Sequence, residues 1–206
     1  SSDPSHDEEH QRHIDTTCVA VLVRLRRSGY LVKKDIQKYE LVHKLCRHRY
    51  ISEQRFCFLI KWDPSALLQP NANNKLPLHW VADNLEDFQF VLDLLFRFYP
   101  RWKGINALFT IDNDGDTPFE LACDKLTQNK VTEVVEEILI RYTTNNGLVN
   151  TNYSSNGNAL ILAAIDDTVS LDGVYFIIRR QPDTMLSMWH HPREEKEENE
   201  ESPKII

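Results

Sequence analysis

Leu76-Pro77-Leu78-His79-Trp80-Val81-Ala82 returns as Thr117-Pro118-Phe119-Glu120-Leu121-Ala122-Cys123 and again, reduced, as Asn158-Ala159-Leu160-Ile161-Leu162-Ala163-Ala164. Both steps are 41 residues. A second marker keeps the same phase. Pro100 closes the apolar run 94–99, and Pro182 closes 176–181, 82 residues further on. A fixed period of this size signals stacked supersecondary units, none of which can bury its own apolar face alone.

Each string carries devices for starting a helix. Thr117 supplies a side-chain cap, and Pro118 sits at the first helical position, where no N–H is needed. Leu76-Pro77 keeps the proline without the cap; Asn158-Ala159 keeps a capping Asn without the proline. Ahead of the second string, Asp112-Asn113-Asp114-Gly115-Asp116 is turn-forming.

The strings resemble the opening of the ankyrin repeat, Thr-Pro-Leu-His-Leu-Ala-Ala. The first keeps Pro77, Leu78, His79 and Ala82, the second Thr117, Pro118, Leu121 and Ala122, the third Leu160, Leu162, Ala163 and Ala164. The resemblance spans residues 35–188 and is densest over 70–142. It implies an all-α solenoid of helix-turn-helix repeats over 35–192, about four helix pairs with an N-terminal capping helix. It also implies that His79 bonds the backbone near the next hairpin. The ankyrin period is about 33 residues, so a 41-residue unit is a longer variant. Most of a unit's length lies between the outer helix and the next opening, which predicts long hairpin loops. A HEAT-like array of helix pairs, with a period of about 40 to 47, is the competing fold. The Thr-Pro openings and the Asp-x-Asp-Gly turn favour the ankyrin reading.

Outward from the repeats, residues 1–15 read as a disordered acidic arm. A capping helix over 16–34 opens after Thr16 and Thr17 and stops before Gly29; its β-branched content leaves a strand open as an alternative. Asp35 is expected to cap a helix carrying Tyr39, Leu41, Val42, Leu45 and Cys46. Ser52 is expected to cap a second that runs to Trp62 and ends at Asp63-Pro64. This pair is a degenerate first unit without the Thr-Pro signature. Later outer helices centre on 91–99, 131–142 and 173–180, and 193–206 reads as a disordered charged tail.

Charge is uneven. The total of −7 divides into −4 over residues 1–15, +8 over 16–62, −8 over 63–192 and −3 over 193–206. No apolar run approaches the roughly 18 to 20 residues of a membrane span. Cys18, Cys46, Cys57 and Cys123 show no paired spacing and read as thiols of a reducing compartment, which places the chain in the cytoplasm with the nucleus as second address.

Chemistry finds little footing. Asp112-x-Asp114-Gly115-Asp116 has a calcium-loop start, but the twelfth position is Cys123, not a carboxylate. His6, His10 and His13, and separately His43, Cys46, His48 and Cys57, are weighed as metal ligands and set aside for want of a paired-cysteine knuckle or an apolar anchor. Asn152-Tyr153-Ser154 is a chance-level glycosylation triplet. No nucleophile motif or phosphate-cradling glycine loop occurs, so the expectation is no enzyme and no cofactor.

Binding is the function the pattern supports. Carrying the ankyrin pattern across places Asn73, Lys75, Asn113, Asp114, Asp116, Ser154 and Ser155 on hairpin tips, and Asp83, Asn84, Asp124, Lys125, Asp166 and Asp167 after the inner helices. This mainly acidic surface suits another protein with a basic surface, taken by a monomer and with no small-molecule substrate. The alternative is that the basic stretch binds nucleic acid or an anionic membrane surface through Arg24, Arg26, Arg27, Lys33, Lys34, Lys44, Arg47, His48, Arg49 and Arg55.

Overall fold

The computed structural model describes residues 4–48, 51–99 and 102–145, together with Tyr175, and among them every regular element is helical. The first helix, α1 (Pro4–Arg27), starts well before residue 16. Thr16 and Thr17 do not cap it. Their hydroxyls donate to the carbonyls of Arg12 and His13, each at 2.9 Å, as such side chains do inside a helix. The expectation of a disordered arm over 1–15 is corrected for the described part. Asp15 is buried, and its carboxylate lies 2.8 Å from the Arg55 guanidinium. That partner is far off in sequence, so no local pattern announces it. At the other end the chain leaves α1 through Gly29, whose φ of +76° suits a residue without Cβ.

The expected helix capped by Asp35 is two helices, α2 (Lys33–Lys38) and α3 (Leu41–Cys46). Asp35 is the third residue of α2 and accepts the Val32 N–H at 2.9 Å. The break between them is Glu40, in the left-handed region at φ +50°. Helix α4 (Glu53–Trp62) opens as expected, with Ser52 Oγ accepting the Arg55 N–H, and a 3₁₀ turn, Pro64–Leu67, follows it.

Next come α5 (Pro77–Trp80), α6 (Leu85–Phe98), α7 (Trp102–Leu108), α8 (Pro118–Lys125) and α9 (Gln128–Asn145). Thr117 and Glu120 form a reciprocal capping box at the start of α8. Thr117 Oγ1 accepts the Glu120 N–H at 3.1 Å, and the Glu120 carboxylate accepts the Thr117 N–H at 3.2 Å. The expectation of a long loop after α6 is corrected by α7. The additional residues form a short helix pressed against α6 and α8, leaving a short hairpin. Gly104 permits the approach: a Cβ there would lie 3.0 Å from the Tyr99 carbonyl oxygen and 3.2 Å from the Phe96 ring.

Helix α3 packs on α5 and α5 on α8, while α4, α6 and α9 lie behind their respective partners. Helix α1 lies along α4. Phe56, Ile60, Leu78, Phe88, Leu92, Leu95, Leu108 and Ile138 are fully buried between these layers. Each contributes about 1.5–3 kcal/mol relative to exposure. Phe56 meets Phe90 edge-on at 5.6 Å, joining α4 to α6. The third string, the helix expected over 173–180 and the tail 193–206 lie outside the described residues, apart from Tyr175, which is helical and exposed.

Candidate functional site

Two hairpins precede α5 and α8, and they are built alike. Asn71 Oδ1 accepts the N–H groups of Asn73 and Lys75, both at 2.9 Å. Asp112 Oδ1 accepts those of Asp114 and Asp116, at 2.9 and 3.0 Å. Each turn passes through a left-handed residue, Asn74 at φ +58° and Gly115 at φ +92°. Asn71 and Asp112 stand 41 residues apart, so the hairpins keep the sequence period.

Successive tips are bonded to one another. Asn113 donates its backbone N–H to the Asn73 carbonyl at 3.1 Å, and Asn74 Nδ2 donates to the Ile111 carbonyl at 2.6 Å. Lys75 Nζ reaches Asp112 at 2.7 Å and Asp114 at 2.9 Å. Burial acts to raise the Asp112 carboxyl. The Lys75 ammonium and the N–H groups of Asp116 and Asp114 together outweigh that, leaving Asp112 below the usual carboxylate range. The same two carboxylates hold the Lys75 ammonium above its ordinary value. Lys75 is therefore occupied in joining the tips.

Two histidines lie under these hairpins. His79 Nε2 donates to the Thr110 carbonyl at 3.1 Å, the hairpin-backbone bond expected of it, while its Nδ1 accepts the Leu76 N–H at 2.9 Å. His43 Nε2 lies 3.0 Å from the Lys75 carbonyl, doing the same for the preceding hairpin. Burial pushes both imidazoles below the ordinary histidine value. From the sequence, His43 is set aside as a metal ligand and read as a core or surface residue, with no hairpin bond assigned to it. Its equivalence to His79 escaped notice because 36 residues separate them, not 41.

With His43, His79 and Glu120 in register, Arg47, Asp83 and Asp124 align, then His48, Asn84 and Lys125; Asp83 and Asn84 follow α5 as expected, whereas Asp124 and Lys125 are the last two residues of α8 and not beyond it. Asp83, Asp124 and Lys125 are exposed. Asn84 is committed to structure, since its Oδ1 caps α6 by accepting the N–H groups of Glu86 and Asp87 at 3.0 and 3.1 Å. On the tips, Asn73, Asn113 and Asp114 are exposed and Asp116 half-buried. Ser154, Ser155, Asp166 and Asp167 lie outside the described residues.

Between the ends of α3 and α5 opens a cleft of about 490 Å³, lined by Cys46, Arg47, His48, Trp80, Val81, Asp83, Asn84 and Asp87. The Arg47 guanidinium lies over the Trp80 ring, 4.2 Å from its centroid. Trp80 Nε1 is buried with no acceptor among the described residues. Burial raises the Asp87 carboxyl above its usual range; a bond from the Ile51 N–H opposes this, and the nearby Asp83, Glu86 and Glu53 carboxylates reinforce it. The cleft was not read from the sequence, although Asp83 and Asn84 on its rim were.

Several bases of the +8 segment are already engaged. Arg55 pairs with Asp15, Lys33 with Asp63 at 3.4 Å, and Arg26 stacks on Trp62 at 4.5 Å. No helix is long and apolar enough to cross a membrane, and no group of three or more metal-ligating side chains gathers, in both cases among the described residues. Compared with protein-family models, curated proteins and solved structures, the chain finds no match.

Proposed function

We propose that this chain is a protein–protein interaction module, an ankyrin-like solenoid with 41-residue units that binds a partner bearing a basic surface. The observation that carries the reading is the recurrence of one hydrogen-bonded assembly, a hairpin held by Asn71 or Asp112 above a histidine of the preceding inner helix. Such an array stiffens a continuous surface, while the stacking itself makes no use of the exposed Asp83 and Asp124. Electrostatics then sets encounter rate and selectivity more than affinity.

Binding is preferred to catalysis because burial raises the thiols of Cys46, Cys57 and Cys123, Cys123 to about 11, which keeps them protonated and poorly nucleophilic. The protein reading is preferred to nucleic acid or membrane because Arg26, Lys33 and Arg55 are engaged within the chain. On this reading the module works as a monomer in the cytoplasm or nucleus, without a cofactor. The test is affinity capture with mass spectrometry, comparing the native chain with a variant carrying Asp83→Asn, Asp116→Asn and Asp124→Asn together. Selective loss of a captured protein supports the proposal; equal recovery of every captured protein counts against it.

A further inference from the structure

We propose that the cleft beside Trp80 receives an arginine side chain of the partner, with Trp80 stacking on its guanidinium and Asp83 and Asp87 pairing with its charge. This rests on the interaction reading above and names the chemistry of one subsite within it.

Arg47 already demonstrates the stack, since its guanidinium lies 4.2 Å from the Trp80 centroid. Arg47 is exposed, so it is a displaceable occupant. Once it swings out, the charged side chains lining the cleft, among the described residues, are the carboxylates of Asp83 and Asp87, with the imidazole of His48 beside them. Their mutual repulsion, with Glu86 and Glu53 close by, favours entry of a cation. The cleft, about 490 Å³ and open to solvent on one side, has room for a guanidinium and its stem. Arginine fits better than lysine because its guanidinium is planar, weakly hydrated, stacks on aromatic faces and pairs with carboxylates through two parallel bonds.

The experiment titrates the full chain with acetylated hexa-arginine, hexa-lysine and the neutral isostere hexa-citrulline, read by calorimetry at low salt. Hexa-arginine is expected to bind more tightly than hexa-lysine, and hexa-citrulline not to bind. Trp80→Leu should weaken hexa-arginine at least about threefold. Trp80→Phe, which keeps a ring, should lie between the two and serves if the Leu variant misfolds. Arg47→Ala should strengthen binding, because it removes the internal competitor; a purely structural Arg47 predicts no gain. Undiminished binding by both Trp80 variants, or weakened binding by Arg47→Ala, overturns the proposal. If binding instead responds only to Asp116→Asn and Asp124→Asn, the subsite falls while the acidic-surface reading stands. A dimer of the chain alone that hexa-arginine dissolves would make the occupant a second copy, and would also overturn it.

Discussion

His79 donates from Nε2 to the Thr110 carbonyl oxygen across 3.1 Å, which ties α5 to the hairpin that precedes α8. Because Nδ1 accepts the Leu76 N–H, the bonds fix one neutral tautomer. Protonation of Nδ1 would destroy one of the two.

Stability should therefore fall in mild acid. Burial lowers both His43 and His79 from the ordinary value of about 6.5. Below that value the unfolded chain binds more protons than the folded one, so stability is full above about pH 7. It declines as pH falls through 6.5 toward the folded-state values. Urea midpoints measured between pH 8 and 5 check this; a midpoint that stays level or rises on acidification contradicts it.

Asp112 should tolerate Asn and resist Ala. Asn71 performs the equivalent task one unit earlier with an amide oxygen, so Asp112→Asn keeps the acceptor for the Asp114 and Asp116 N–H groups. The expected cost is about 1 kcal/mol or less, mostly from weakening the Lys75 pair. Asp112→Ala removes the acceptor and should cost about 1–3 kcal/mol. Chemical denaturation of the two variants side by side separates these outcomes.

Gly104→Ala should destabilise despite its helical position. Alanine gains roughly 1 kcal/mol in helix propensity. Against that, its Cβ would lie 3.0 Å from the Tyr99 carbonyl oxygen, part of the backbone, and 3.2 Å from the Phe96 ring. Overpacking of this kind costs about 1–3 kcal/mol. A lowered melting temperature is expected, and an unchanged or raised one would show that α7 moves away freely.

Removing Asp15 should loosen α1 from α4. The Arg55 Nε is already buried with no acceptor among the described residues, so Asp15→Ala leaves the guanidinium poorly compensated, at about 1–3 kcal/mol. Deleting residues 1–15 should cost at least as much. If the truncated chain matches the intact one in thermal melting, the segment contributes nothing to the fold.

Much of the helical framework was legible from local signals. Thr117-Pro118 and Ser52 mark helix starts because capping is a contact between neighbours three residues apart. The Asp112 turn was equally readable, since its carboxylate bonds backbone groups only two and four residues ahead. Lys75 and Asn84 were picked out by position, but not their duties. Lys75 pairs with carboxylates nearly 40 residues away, and Asn84 caps a helix that begins earlier than the apolar run suggested. Helix α7 stayed hidden because its short stretch carries no visible cap and a glycine in its first turn.

The sequence by itself determined the 41-residue step between Leu76 and Thr117, the helix starts at Ser52, Pro77 and Thr117-Pro118, and the form of the Asp112 turn, since all depend on groups close along the chain. Only the tertiary structure decided that Thr16 and Thr17 lie inside a helix, that Asp15 meets Arg55, and that Arg47 comes to rest on Trp80. The residues paired in the last two contacts are 40 and 33 positions apart. They come together only after apolar burial has set the helices against one another, and that burial is non-directional, so its partners are not written in any local pattern.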